Sequence, residues 1–141
     1  MSAIDAMLVE ARHDLDRVRP EDLDAAVAAG ALVIDIRPER DRRGEGLIPG
    51  AIPIERNVLE WRLDPTSPDA IPEASVDRLV IVVCDEGYAS SLAAKSLRDL
   101  GIRRATDLEG GFRAWRGQAA FDDVGPTVVG ARPDATGMAV G

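Results

Sequence analysis

The segment Leu79–Ser91, with the sequence LVIVVCDEGYASS, decides the fold class of this chain. Its first five residues are apolar and mostly β-branched, a pattern typical of a strand buried on both faces of a parallel sheet. Cys84 follows directly, and Gly87 lets the chain turn sharply after it. The residues from Ser90 onward have helical spacing up to Gly101, which predicts a helix that ends there. This order predicts a parallel α/β protein with its cysteine at the sheet edge where such proteins bind ligands.

Strands and helices alternate on both sides of this segment. We predict further strands at residues 32–36, 52–54 and 104–108. We predict helices at residues 3–14, 20–30, 58–62 and from 111 onward, and a charged loop at residues 37–46 that contains Arg40, Arg42 and Arg43. Trp61 and Trp115 are expected to anchor the core. The alternation predicts a mostly parallel sheet with helices on both faces.

The length of 141 residues is typical of one domain. We predict an amphipathic helix within residues 1–16, a folded domain at residues 17–121, and a loosely ordered tail at residues 122–141, which are rich in Gly, Pro and Ala. The longest nearly apolar stretch, Ala25–Ile34, is too short to span a bilayer. The first residues carry acids and lack the basic start of a secretory signal.

The formal net charge of -8 argues against nucleic acid or an anionic membrane as the main partner, because both require a basic surface. A small anion remains a suitable ligand, since backbone dipoles can bind it inside an acidic protein. The chain has one cysteine, so no internal disulfide can form, and we expect a cytoplasmic protein. No cluster of cysteine or histidine predicts a metal site, and we expect no cofactor.

The loop after Cys84 has the composition of an anion-binding turn. Backbone amides of residues 85–91, together with the unpaired amides of the helix start, could converge on the sulfur and stabilise a thiolate or persulfide anion. The only histidine, His13, lies on the predicted N-terminal helix, so no imidazole base is expected beside the thiol. The alternative is a buried structural cysteine, which is the commoner state of a lone cysteine.

Four segments in a fixed order carry a resemblance to a known family. They are Asp35–Arg37, Gly46–Ala51, Cys84–Ser90 and Leu108–Trp115. They resemble the Asp-x-Arg, Gly-His-Ile-Pro-Gly-Ala, Cys-x-x-Gly-x-Arg-Ser and Leu-x-Gly-Gly-x-x-x-Trp motifs of the rhodanese-like family. The likeness covers roughly residues 17–115.

The resemblance implies an α/β domain with a five-stranded, mostly parallel sheet. It implies transfer of a sulfane sulfur, through a persulfide on Cys84, from a donor such as thiosulfate or a persulfide to a thiol acceptor or partner protein. A related phosphatase or arsenate reductase branch has one more residue between cysteine and arginine. Ala89 falls at the position of the arginine in the shorter loop, which favours sulfur transfer over phosphate chemistry.

Three departures from the family motifs bear on the substrate. Ala89 replaces the loop arginine, Leu47 replaces the usual histidine, and the carboxylates of Asp85 and Glu86 should repel an anionic donor. Turnover of thiosulfate is therefore expected to be weak. A non-catalytic rhodanese-like module that binds or senses a partner is the alternative function.

Cys84 is the predicted catalytic residue. The resemblance implies a substrate-binding set made of Asp85, Glu86, Gly87, Tyr88, Ala89, Ser90 and Arg56. In this set Arg56 is a candidate replacement for the loop arginine, and the Ser90 hydroxyl either points at the sulfur or caps the helix. Asp35 and Arg37 are expected to support the loop as an ion pair.

Overall fold

The computed structural model describes residues 1–121, so the predicted tail at residues 122–141 lies outside the described part. The helices are α1 (Ala3–Arg12), α2 (Leu23–Ala28), α3 (Glu39–Glu45), α4 (Leu59–Leu63), α5 (Ala89–Asp99) and α6 (Gly111–Phe121). The strands are β1 (Leu32–Asp35), β2 (Ile52–Pro53), β3 (Val80–Val83) and β4 (Ala105–Asp107). Short 3-10 turns at Pro20–Asp22 and Arg56–Val58 precede α2 and α4.

All strand pairs in the described sheet are parallel, in the order β2-β1-β3-β4. The sheet has four strands where five were expected. At the fifth position, Val18 makes a single parallel bridge to Leu108. Pro20 follows two residues later and opens a 3-10 turn, so the extended segment ends before it can form a strand. The carboxyl ends of β1, β3 and β4 meet at one edge of this sheet.

Each face of the sheet has its own apolar core, because side chains alternate along a strand. Ile34, Val80 and Val82 point to one face and pack with residues of α4 and α5. Val33 and Ile81 point to the other face and pack with α2 and α6. The predicted arrangement with helices on both faces is confirmed.

The prediction of a charged loop at residues 37–46 was wrong, because residues 39–45 form α3. Pro38 precedes this helix, acids occupy its first turn, and Arg42 and Arg43 occupy its last turn, which suits the helix dipole. Glu39 and Arg43 pair across one turn. No α3 residue is buried, so the segment lacks the apolar period by which an amphipathic helix is identified.

The prediction that Trp61 anchors the core was also wrong, since Trp61 is 59% exposed. Helix α4 reaches the core through Leu59 and Leu63, four residues apart, and Trp61 lies between them on another side of the helix. Trp115 is partly buried and packs against Phe112 with ring centroids 5.6 Å apart.

Helix α1 packs on α5 and on the core below it. Its buried residues are Leu8 and Ala11, and Leu15 follows in the same core. Ser2 caps it through a reciprocal hydrogen-bond pair with Asp5. Among residues 1–121, none of the helices has the length and apolar character needed to cross a bilayer.

Candidate active site

Cys84 lies immediately after the buried strand β3, at the carboxyl edge of the sheet. Its Sγ accepts hydrogen bonds from the backbone amides of Gly87, at 3.2 Å, and of Ser90, at 3.3 Å. The residue is 7% exposed. Two amides of the predicted anion-binding turn thus point at the sulfur, and partial positive charge surrounds it on the loop side.

The loop packs tightly on the Gly110-Gly111 turn that begins α6. Gly87 has φ +87°, and a Cβ added there would lie 2.7 Å from the amide nitrogen of Gly110. Gly111 has φ +65°, and a Cβ there would lie 2.6 Å from the carbonyl oxygen of Asp85. Both positions therefore require glycine for conformation and for space.

The first amides of α6 hold the backbone of the cysteine itself. The amide of Phe112 donates to the carbonyl oxygen of Cys84 at 2.9 Å, and that of Arg113 donates to the carbonyl oxygen of Asp85 at 3.1 Å. A helix start has unpaired amides, and here the cysteine loop supplies their acceptors. These two hydrogen bonds give a physical reason for the Gly110-Gly111 pair of the Leu-x-Gly-Gly-x-x-x-Trp motif, because they bring the start of α6 against the cysteine loop.

Asp107, at the end of β4, is a fully buried carboxylate that the sequence analysis did not single out. Its Oδ2 accepts hydrogen bonds from the hydroxyls of Ser90, at 2.7 Å, and Ser91, at 2.8 Å. The Ser90 hydroxyl therefore serves neither role expected for it, because α5 begins at Ala89 without a side-chain cap. Ser90 contributes to the site through its amide.

Two arginines from the N-terminal segment reach the same loop. Arg17 pairs with Asp107 and also donates to the carbonyl oxygen of Gly87 at 2.9 Å. Arg12 donates to that carbonyl oxygen at 2.8 Å and to the Ser91 hydroxyl at 2.9 Å. The sequence analysis missed both, since no local motif surrounds them and their partners lie 70 or more residues away.

The negative charge of the two loop acids, Asp85 and Glu86, is partly offset by neighbouring groups. Arg113 lies 3.5 Å from Glu86 and 4.0 Å from Asp85. Burial, followed by the interaction with the neighbouring Asp41 carboxyl group, raises the pKa of Asp85 above its ordinary value. Asp85 Oδ1 is buried and has no hydrogen-bond partner among residues 1–121, which adds to the cost of its charged form. The expected repulsion of an anionic donor is therefore weaker than the sequence suggests.

Carboxylate oxygens of Asp41, Glu45 and Asp85 lie within 4.8 Å of one another. Glu45 already forms a two-point ion pair with Arg113, at 3.0 and 2.9 Å, and the same guanidinium lies 4.0 Å from Asp85. Protein groups thus offset the charge of this cluster, and the absence of a metal site stays a prediction.

Asp35 and Arg37 form a buried ion pair at the carboxyl end of β1. Arg37 is 1% exposed, and its Nε and terminal nitrogen donate to the two Asp35 oxygens at 3.1 and 2.7 Å. The same guanidinium donates to the carbonyl oxygen of Gly46 and lies 3.8 Å from the ring centre of Phe112. This geometry supports the expected structural role, since the pair ties β1 to the turn at Gly46 and to α6.

The remaining predicted site residues are Tyr88, Ala89 and Arg56, and none of them contacts the sulfur by a hydrogen bond in the described part of the chain. Tyr88 is 59% exposed, and the Arg12 guanidinium lies 5.8 Å from its ring centre. Ala89 is exposed at the first position of α5. Arg56 donates to both Glu60 oxygens at 3.0 Å and makes no hydrogen bond or ion pair with the loop in the described part of the chain. Its role toward the donor stays a prediction.

Comparison with known proteins agrees with this geometry. A family model described as "Rhodanese-like domain" matches residues 19–118. "Thiosulfate sulfurtransferase GlpE" of Stutzerimonas stutzeri (strain A1501) is 34% identical over 103 residues, which cover 73% of this chain and 86% of that protein.

Two solved structures share the fold at recognisable sequence identity. One is a protein of unknown function from Rhodopseudomonas palustris CGA009, described as a "Possible Tyrosine Phosphatase", with 36% identity, a TM-score of 0.75, and coverage of 89% of this chain and 94% of that one. The other is the human single-domain sulfurtransferase TSTD1, with 26% identity, a TM-score of 0.61, and coverage of 70% and 93%. This chain belongs to the rhodanese-like domain family.

Proposed function

We propose that this protein is a sulfurtransferase that moves a sulfane sulfur from a small donor to a thiol acceptor through a persulfide on Cys84. The observation that carries the proposal is the pair of amides, of Gly87 and Ser90, that donate to Sγ. Such donors stabilise an anionic sulfur without a histidine base. Similar proteins named as thiosulfate sulfurtransferases support the reaction class.

The reaction runs in two balanced steps. The Cys84 thiolate attacks the outer sulfur of thiosulfate, the sulfur–sulfur bond breaks, and sulfite leaves with the electron pair. Cys84 then carries a terminal persulfide anion, which the same two amides stabilise. An acceptor thiolate attacks that outer sulfur, a new persulfide forms on the acceptor, and the Cys84 thiolate is restored.

The site favours a small or protruding donor. Cys84 is 7% exposed, so a donor must present its sulfur on an extended group. Ala89 provides no guanidinium for a two-point grip on an anion, which predicts weak turnover of thiosulfate and better turnover of a persulfide. A free cysteine that must stay reduced also supports the cytoplasm as the compartment.

Two other functions have an observation in their favour. Ala89 and the small exposure of Cys84 favour a non-catalytic binding module. The likeness to the Rhodopseudomonas palustris protein favours a phosphatase. Against the phosphatase, four residues separate Cys84 from Ala89, the loop length of the sulfur-transferring branch.

A turnover assay on one protein preparation separates the three functions. Thiosulfate or glutathione persulfide would be the donor, cyanide or glutathione the acceptor, and p-nitrophenyl phosphate the phosphatase probe. We expect product from at least the persulfide donor, none from Cys84→Ser, and no hydrolysis of the phosphate. Equal rates in the wild type and Cys84→Ser would favour the binding module, and phosphate hydrolysis lost in Cys84→Ser would favour the phosphatase.

A further inference from the structure

Helix α1 brings a guanidinium group onto the cysteine loop from outside the family segment. The family match begins at residue 19, and Arg12 precedes it. Arg12 nevertheless contacts the loop at three points: the carbonyl oxygen of Gly87, the hydroxyl of Ser91 and the ring of Tyr88. An element outside the matched family segment thus contacts the cysteine loop.

The groups around the Arg12 guanidinium differ from those around the other cations near the loop. Each of the others faces a carboxylate, in the pairs Arg17–Asp107, Arg37–Asp35 and Arg113–Glu45. The partners of Arg12 are a carbonyl, a hydroxyl and an aromatic ring, all uncharged. Within residues 1–121, no carboxylate lies at ion-pair distance from it, so its positive charge is left for the site.

The position of Arg12 also matters for the sulfur. The residue whose carbonyl it binds, Gly87, donates its own amide to Cys84 Sγ. Gly87 has φ +87° and the torsional freedom of glycine, and its carbonyl oxygen accepts from both Arg12 and Arg17, so the two arginines together hold this turn. A hydrogen bond to the Gly87 carbonyl restricts the rotation of the next peptide unit.

We propose that Arg12 supplies from helix α1 part of the positive charge that the loop lacks at Ala89: it helps to position the Gly87 turn, and it makes the Cys84 loop more reactive toward anionic reagents, relative to neutral ones, than the loop would be without it. Arg12 is a positioning residue, since it acts on the sulfur through Gly87 and through its charge. As a statement about the donor, this inference rests on the proposed sulfur transfer. Its electrostatic part concerns any reagent that reaches the thiolate.

Alkylation of Cys84 tests the electrostatic part without a sulfur donor. Iodoacetate and iodoacetamide react with the same thiolate and have similar size, but only iodoacetate is charged. Cys84 is the only cysteine, so mass spectrometry of the full chain gives both rate constants. In Arg12→Gln we expect the iodoacetate-to-iodoacetamide rate ratio to fall about three- to five-fold at low salt.

Two variants control for structure and for net charge. Arg12→Lys keeps the charge and should restore most of the ratio. Arg103→Gln removes the same charge from an exposed pair with Asp77, at the opposite end of β4, and should leave the ratio unchanged. An unchanged ratio in Arg12→Gln, or an equal fall in Arg103→Gln, would overturn the proposal.

A salt series on the wild type keeps the test decisive even if Arg12→Gln does not fold. The wild-type ratio should exceed that of a neutral small thiol and decrease as salt screens the field. A ratio that starts below the free thiol and rises with salt would show that the acids dominate, and would overturn the proposal. If the alkylation results hold but no donor yields a persulfide, the proposed function fails while the inference about Arg12 stands.

Discussion

The guanidinium of Arg17 and the carboxylate of Asp107 form a two-point ion pair beneath the cysteine loop, with nitrogen–oxygen distances of 2.8 and 3.1 Å. The same carboxylate accepts the hydroxyls of Ser90 and Ser91 at the start of α5. One buried charge therefore fixes three groups from two parts of the chain. Since Arg17 also binds the Gly87 carbonyl, this network connects the end of β4 to the turn that points at the sulfur.

We predict that Asp107→Asn lowers the free energy of unfolding by about 3 kcal/mol, because it leaves the Arg17 charge without its buried partner. Urea denaturation followed by circular dichroism measures the change. Asp77→Asn is the matched control, since it removes an exposed carboxylate paired with Arg103 and should have no measurable effect. Equal stability of the two variants would show that the network does not hold the loop.

We predict that Gly111→Ala destabilises the protein by at least about 2 kcal/mol, because φ is +65° and the new methyl group would meet the Asp85 and Cys84 carbonyls. Gly117→Ala lies in the same helix with open space around it and should be neutral or stabilising by up to about 1 kcal/mol. Thermal unfolding of both variants measures these changes in stability. A mild effect in Gly111→Ala would mean that the loop and α6 can move apart.

We predict that Asp85→Asn stabilises the protein at neutral pH and that the gain disappears in acid. Burial and the neighbouring Asp41 raise the pKa of Asp85 in the folded state, so the folded protein binds the proton more tightly than the unfolded chain does. The stability that protonated Asp85 contributes is complete below the ordinary aspartate pKa and is lost as pH rises through the raised value. Asparagine stays neutral throughout and avoids this loss.

Unfolding midpoints of the wild type and Asp85→Asn, measured from about pH 4 to about pH 7, test this sign. The difference between the two proteins should widen as pH rises. Asp99→Asn, which removes an exposed carboxylate at the end of α5, serves as the control. A difference that is constant with pH would contradict a raised pKa of Asp85 in the folded protein.

The features predicted correctly from sequence are those with a strong local signal. The apolar run before Cys84 identified the central strand, and the position of the cysteine at its carboxyl end followed from the parallel topology. Gly87 and the Gly110-Gly111 pair marked the two turns that meet below the loop. In each case neighbouring residues carry the information, because strand burial and positive φ depend on local backbone and side-chain chemistry.

The features that sequence reasoning missed depend on contacts between distant segments. Arg12 and Arg17 contact Gly87 across 75 and 70 residues, and nothing near them in the sequence indicates a partner. Asp107 is a single acid in a short strand, and only the folded sheet shows that it is buried under α5. Helix α3 was not predicted, because a helix without a buried face has no apolar period in its sequence.

Intact-mass measurement of the full chain after exposure to thiosulfate and to glutathione persulfide shows whether Cys84 carries sulfur. We predict that the wild type gains the mass of one sulfur atom, that peptide mapping places it on Cys84, and that an acceptor thiol removes it. Cys84→Ser should gain nothing. A wild type that gains no sulfur from either donor, with its fold intact and its cysteine reduced, would contradict sulfur transfer by this protein.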